Sequence, residues 1–132
     1  MNRRHPVARL APAAPIAALV ATLSLAACGG GGNESGPPDS ILLSPTSVTA
    51  TGPVGACARG VGPTVFVFGG TPPYTLTNSY PLGMTLDVKT VKNSGEGFTI
   101  TLNGVCMDTI PINVQDDMGR IATMTVTNAR GT

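Results

Sequence analysis

Apolar and polar residues alternate along the second half of this chain. Met84, Leu86 and Val88 alternate with Thr85 and Asp87. Phe98, Ile100 and Leu102 alternate with Thr99 and Thr101. Ile110, Ile112 and Val114 form the next apolar series. Ala122, Met124 and Val126 form the last, with Thr123, Thr125 and Thr127 between and after them. A period of two sends successive side chains to opposite faces of a β-strand, so each series predicts a strand with one buried face. Thr64 to Phe68 (TVFVF) is β-branched and aromatic throughout, which predicts a strand that is central or buried on both faces. Ile41-Leu42-Leu43 and Ser47 to Thr51 read as one first strand broken at Pro45. Such a break discourages edge-to-edge pairing. Tyr74 to Thr77 follows a Gly-Gly-Thr-Pro-Pro turn, and Gly, Pro, Asn and Asp punctuate the remaining intervals. No stretch in this part of the chain holds a helical period. About seven short strands of this kind predict an all-β, Greek-key β-sandwich.

The first 27 residues follow a different pattern. Arg3, Arg4 and Arg9 are followed by an uncharged apolar run from Leu10 to Ala27. A positive segment followed by an apolar one is the anatomy of a secretory signal peptide. A spanning helix needs about 20 apolar residues; this run is shorter, and Pro12 and Pro15 weaken its first turns. The alternative reading is an uncleaved membrane helix with an incidental cysteine. The run ends in Leu25-Ala26-Ala27-Cys28, which resembles the lipobox of bacterial lipoproteins. The resemblance implies cleavage before Cys28, a diacylglyceryl thioether on its sulfur and a membrane as partner. Each buried methylene is worth about 0.8 kcal/mol, and two chains anchor stably. Gly29 rather than Asp follows Cys28, which favours the outer membrane.

These features divide the chain into a removed signal peptide (1–27), a lipidated cysteine with a Gly-rich tether (28–39) and one domain (40–132). GGGGNESGPP, residues 29–38, offers nothing to a core. As a flexible chain, ten residues reach roughly 17 Å. The precursor has a net charge of +1. Without its three leading arginines it holds five basic residues against seven acidic ones. Arg59, Lys89, Lys92, Arg120 and Arg130 are scattered and form no basic stripe, so nucleic acid is not an expected partner.

The chain has three cysteines. With Cys28 assigned to lipid, Cys57 and Cys106 remain as one expected disulfide in an oxidising compartment. A loop of about 50 residues closed in this way is worth roughly 4 kcal/mol in the chain-entropy model. Two buried free thiols are the alternative. A zinc site is disfavoured because the one histidine, His5, lies in the removed segment.

Two turns add a second resemblance. Gly69-Gly70-Thr71-Pro72-Pro73-Tyr74 resembles the B–C turn of bacterial immunoglobulin-like repeats. Val114-Gln115-Asp116-Asp117-Met118-Gly119-Arg120 resembles their final hairpin, where V-x-D-x-x-G precedes a Thr-rich strand. With Ser44-Pro45-Thr46-Ser47-Val48, the likeness spans most of residues 39–128. It implies an immunoglobulin-like sandwich, with Cys57 before strand B, Cys106 before strand F and a B–F bridge between the sheets. In the sequence Cys106 shares the parity of Ile110, Ile112 and Val114. The chain departs from antibody-type domains in having no Trp, and both cysteines sit near strand starts, which moves the bridge toward one end of the sandwich.

Chemistry is sparse in the sequence. Without histidine, the usual acid–base and Ser–His–Asp machinery is missing from the mature chain. Ser94 near Lys89 and Lys92 reads as a polar hairpin tip in preference to a Ser–Lys pair. Asp87 and Glu96 read as solvent-facing strand ends in preference to a catalytic pair. Asp116 and Asp117 could supply oxygens to calcium, but a hairpin turn explains them better. Three of the five aromatic residues sit in strands and are expected in the core. That leaves Tyr80, in the Asn78-Ser79-Tyr80-Pro81 loop, as the candidate exposed ring for a binding surface. Its alternative is a loop side chain folded over the sandwich edge. No cofactor, metal or enzymatic activity is expected. The expectation is a lipid-anchored, non-enzymatic interaction or structural module with an envelope or extracellular protein or glycan as partner. The alternative is a small periplasmic inhibitor, or an accessory subunit of an envelope enzyme or secretion complex.

Overall fold

The computed structural model describes residues 36–132. The segment read as a signal peptide, Cys28 and most of the expected tether lie outside them. The described residues form nine strands: β1 (Ile41–Ser44), β2 (Ser47–Val54), β3 (Arg59–Gly69), β4 (Tyr74–Asn78), β5 (Met84–Leu86), β6 (Thr90–Val91), β7 (Gly97–Asn103), β8 (Met107–Gln115) and β9 (Ile121–Gly131). They build two sheets, ordered β1-β3-β7-β5 and β2-β9-β8-β4-β6, in a sandwich arrangement. Every connection between consecutive strands crosses from one sheet to the other except the β8–β9 hairpin. Neighbours pair antiparallel apart from β2 and β9, which run parallel.

The alternating series become the core. Val65 and Val67 of β3, Phe98 and Ile100 of β7, Ile112 and Val114 of β8, and Met124 and Val126 of β9 are all fully buried. Their polar neighbours in sequence face outward, as a period of two requires.

Four expectations are corrected. The first strand does not merely break at Pro45. Its halves join different sheets, β1 against β3 and β2 against β9. Proline has no amide proton to continue a ladder, so pairing stops there and the chain crosses over. The series from Met84 to Val88 is cut short: β5 ends at Leu86 in the first sheet, Val88 lies beyond it, and a further short strand, β6, joins the second sheet. The division at Pro45 and the added β6 raise the count from about seven strands to nine.

The third correction concerns the strand aromatics expected in the core. β3 is central in its sheet, as expected, but only one of its faces is covered. Val65 and Val67 point inward, while Phe66 is 44% exposed and Phe68 half-buried on the outer face. Their rings lie 6.5 Å apart. Of the aromatic side chains, Tyr74 and Phe98 are the two that the core encloses fully.

The fourth concerns Cys106. Met107 pairs with Asn128 and Ile110 with Val126, so the β8 ladder slips between them. Thr109 takes φ 51° there. An extra residue in one strand of a pair reverses the parity on its far side. Met107 is therefore the buried residue, and Cys106 is exposed.

Candidate functional site

The strands converge on two ends. At the amino end the chain enters through Gly36–Pro38, beside the β3–β4 turn and the β8–β9 hairpin tip. At the other lie the β2–β3, β4–β5 and β7–β8 connections together with the carboxyl end of β9.

This second end carries the disulfide. Cys57 sits in the β2–β3 connection and pairs as an isolated bridge with Arg130. Cys106 sits in the β7–β8 connection. The two are joined with their Cα atoms 5.3 Å apart. The bridge thus ties two crossovers at the end of the sandwich and does not run through its centre.

Asn128 reinforces the same junction. Its side chain is fully buried. Its Oδ1 accepts from the Ala58 amide at 2.9 Å, and its Nδ2 donates to the carbonyls of Ala58 and Val105 at 2.8 and 3.0 Å. Ala58 follows Cys57 and Val105 precedes Cys106, so covalent and hydrogen-bonded clamps hold adjacent residues. A buried polar group is costly unless it is satisfied, and Asn128 satisfies backbone groups that the crossovers would otherwise leave unpaired. The sequence held a usable signal: Asn128 continues the inward parity of Met124 and Val126, where a polar residue is out of pattern.

Outside the clamp lies a shallow, open depression of about 460 Å³, lined by Cys106, Met107, Asp108, Thr127 and Arg130 among others. It offers one carboxylate and one guanidinium around a mainly apolar floor. A second groove of about 390 Å³ runs between β4 and β5, with Leu76, Leu86, Val88 and Lys89 along it.

Tyr80 belongs to the disulfide end but is half-buried and packs against the core. Its ring covers Gly83, where an added Cβ would meet Cδ1 of Tyr80 at 2.6 Å and also collide with Sδ of Met107. Its amide donates to Oδ1 of Asn78, which fixes the loop. It closes the core and is not a free platform.

The amino end is organised by Asp116. Its side chain is buried and accepts from the amides of Thr71, Met118 and Arg120 and from Nε of Arg120. Burial pushes this carboxyl up, but the amides of Thr71 and Arg120 and the Arg120 guanidinium outweigh it and hold the group below its ordinary range. Arg120 continues outward to the carbonyl of Pro38 and the hydroxyl of Thr71. The amide of Gly70 donates to the Pro37 carbonyl, and the Tyr74 hydroxyl donates to the carbonyl of Gly69. Asp116 is thus the acceptor that builds a hairpin and fastens the incoming segment.

The other candidate groups each have structural partners. The Ser94 hydroxyl accepts from the Gly69 amide. Asp87 accepts from the Thr99 amide. Glu96 accepts from the side chain and amide of Asn93, which lower its pKa. Asp87 and Glu96 are not brought together as a pair of carboxylates.

Comparison of the chain with protein-family models, curated proteins and solved structures finds no match. The fold and its two ends define the class, an all-β two-sheet domain stapled by one disulfide.

Proposed function

We propose that this protein is a lipid-anchored component of the bacterial cell envelope. In this reading its immunoglobulin-like sandwich is a non-enzymatic interaction or structural module. The observation that carries the proposal is the pairing of Cys57 with Cys106. It accounts for two of the three cysteines and leaves Cys28, inside Leu25-Ala26-Ala27-Cys28, as the thiol for lipid. The immunoglobulin-like assignment is supported by a first strand shared between the sheets, by the parallel β2–β9 pair and by the terminal β8–β9 hairpin. The interaction role is supported by the way Ser94, Asp87, Glu96 and Asp116 are committed to backbone amides, an arrangement that serves structure rather than proton transfer. Gly29 favours placement in the outer membrane. The disulfide end, with its open depression, is the surface this reading offers to an envelope or extracellular partner.

The test is metabolic labelling with an alkyne fatty acid, together with intact mass. The wild-type chain should incorporate label and begin at Cys28, and Cys28→Ala should remain unprocessed and unlabelled. Labelling of the Cys28→Ala chain would refute the anchor. Cross-linked pull-down from envelopes, with Arg130→Glu as control, tests the interaction role: a partner lost in that variant supports the disulfide end, and equal capture by both chains excludes it.

A further inference from the structure

Asn103 stands between two kinds of neighbour. It is the last residue of β7 and shares the outward parity of Thr99 and Thr101. On one side lies the β4–β5 connection. Nδ2 of Asn103 donates there to the Pro81 and Leu82 carbonyls, at 3.4 and 3.3 Å, and its amide donates to the Gly83 carbonyl. On the other side lies Arg59, its partner across the β3–β7 ladder. Directly opposed residues of antiparallel strands place their side chains on one face. The guanidinium extends over the next residue, since a Cβ on Gly104 would meet Nε of Arg59 at 2.9 Å.

These neighbours treat an amide and an acid differently. An amide carries two N–H donors and an ionised carboxylate carries none. With aspartate at position 103, a carboxylate would face two carbonyl oxygens on one side and a guanidinium on the other. Contact with the connection would turn repulsive, and contact with Arg59 would become a charge-assisted pair. The sequence supplies a route to that change. Asn103 precedes Gly104, and no other asparagine of the chain precedes a glycine. Asparagine is a thermolabile residue, and its decay needs the following backbone nitrogen to reach Cγ. Gly104 has no side chain to obstruct that approach and lies beyond the end of β7.

We infer that Asn103-Gly104 is a self-modifying site whose product releases the β4–β5 connection and pairs with Arg59. The Gly104 nitrogen loses its proton and attacks Cγ of Asn103. The Cγ–Nδ2 bond breaks, ammonia leaves with the proton, and a cyclic imide remains. Water then adds to one imide carbonyl. Cleavage of the new Cγ–N bond gives aspartate; cleavage of the original peptide C–N bond gives isoaspartate, with the backbone running through Cγ. One water enters and one ammonia leaves, with no change of oxidation state. Either product carries a carboxylate, which turns from the Pro81 and Leu82 carbonyls to Arg59. The segment let go carries Tyr80, which packs against the core, and Leu82, which is 75% exposed. The change runs in one direction, so it marks the age of a molecule. The inference goes beyond the proposed function and does not depend on the anchor.

Incubation of the purified full-length protein at mildly alkaline and mildly acidic pH tests it. Peptide mass analysis should show position 103 gaining the amide-to-acid increment, faster in alkali and ahead of Asn78 and Asn93, which precede serine. An isoaspartate methyltransferase should label the same peptide. The converted form, separated by charge, needs no substitution. It should exchange the Gly83 and Met84 amides about ten-fold faster than fresh protein, the effect of losing one hydrogen-bonded latch. Both amides donate to the Tyr80 carbonyl. Asn103→Asp should show the same acceleration, and adding Arg59→Gln should lower the melting temperature of that variant more than that of wild type. Conversion at position 103 only in reduced, urea-unfolded chains, or later than at Asn78 and Asn93, would overturn the site. Unchanged exchange at Gly83 and Met84, or an equal effect of Arg59→Gln in both backgrounds, would overturn the release and the pairing.

Discussion

At the scale of single residues, two buried polar side chains organise the ends of the sandwich. Asn128 satisfies three backbone groups of two crossovers at once. Removing one partner of a buried hydrogen bond costs roughly 1–3 kcal/mol, because the other partner stays dehydrated. Asn128→Ala should therefore lower unfolding free energy by about 3 kcal/mol, measured by urea denaturation with the disulfide intact. Asp116 acts through charge. Its pKa is lowered in the folded protein from an ordinary value of 3.8. A carboxyl depressed on folding contributes stability that is complete above its unfolded pKa and disappears as pH falls through its folded one. Unfolding curves at pH 7 and pH 3 should show this directly. Asp116→Asn should be clearly less stable than wild type at pH 7, and the difference should narrow at pH 3. A difference that stays constant would mean the carboxylate's charge is not what holds the hairpin.

At the scale of elements, the slip in β8 and the β3–β4 turn decide where chains can go. The slip turns Met107 inward and Cys106 outward, which brings the thiol to Cys57. It is held at Thr109, a β-branched residue with φ 51°, a conformation that asparagine tolerates far better. Thr109→Asn should stabilise the protein by about 0.5–1 kcal/mol, read from the urea midpoint at unchanged slope. The turn behaves oppositely. Gly69 has φ 70°, and a Cβ there would strike the carbonyl oxygens of Pro37 and Ser40. Gly69→Ala should destabilise by about 2 kcal/mol or more and free the Pro37 segment. Hydrogen exchange at the Gly70 amide, which donates to Pro37, would report the release. Protection at Gly70 equal to wild type would contradict it.

At the scale of the molecule, stability comes from a core closed by two sheets and from a bridge that spans 49 residues of sequence. A domain of this size buries a limited share of its surface, so the covalent link matters. Reduction, or Cys57→Ser with Cys106→Ser, should cost about 4 kcal/mol and lower the melting temperature accordingly. Calorimetry of oxidised and reduced protein checks it. The bridge ties crossovers rather than strand centres, so the loss should fall on global stability and leave the strand order intact.

Strand number, core face and cysteine pairing differ in how far the sequence alone determined them. A period of two needs no tertiary information, so the apolar faces of β7, β8 and β9 were readable, and so was the pairing of Cys57 with Cys106. Three matters were decided only by tertiary structure. Which sheet each half of a divided strand, or an added short strand, joins depends on the open edge it meets, and nothing local in Ile41–Val54 or Thr90–Val91 encodes that edge. The exposure of Cys106 depends on a one-residue slip, which reverses parity without altering composition. Whether Phe66 and Phe68 were inside or outside depended on what covers the first sheet. A strand's own residues state that a face is apolar, and only its surroundings state whether anything lies upon it.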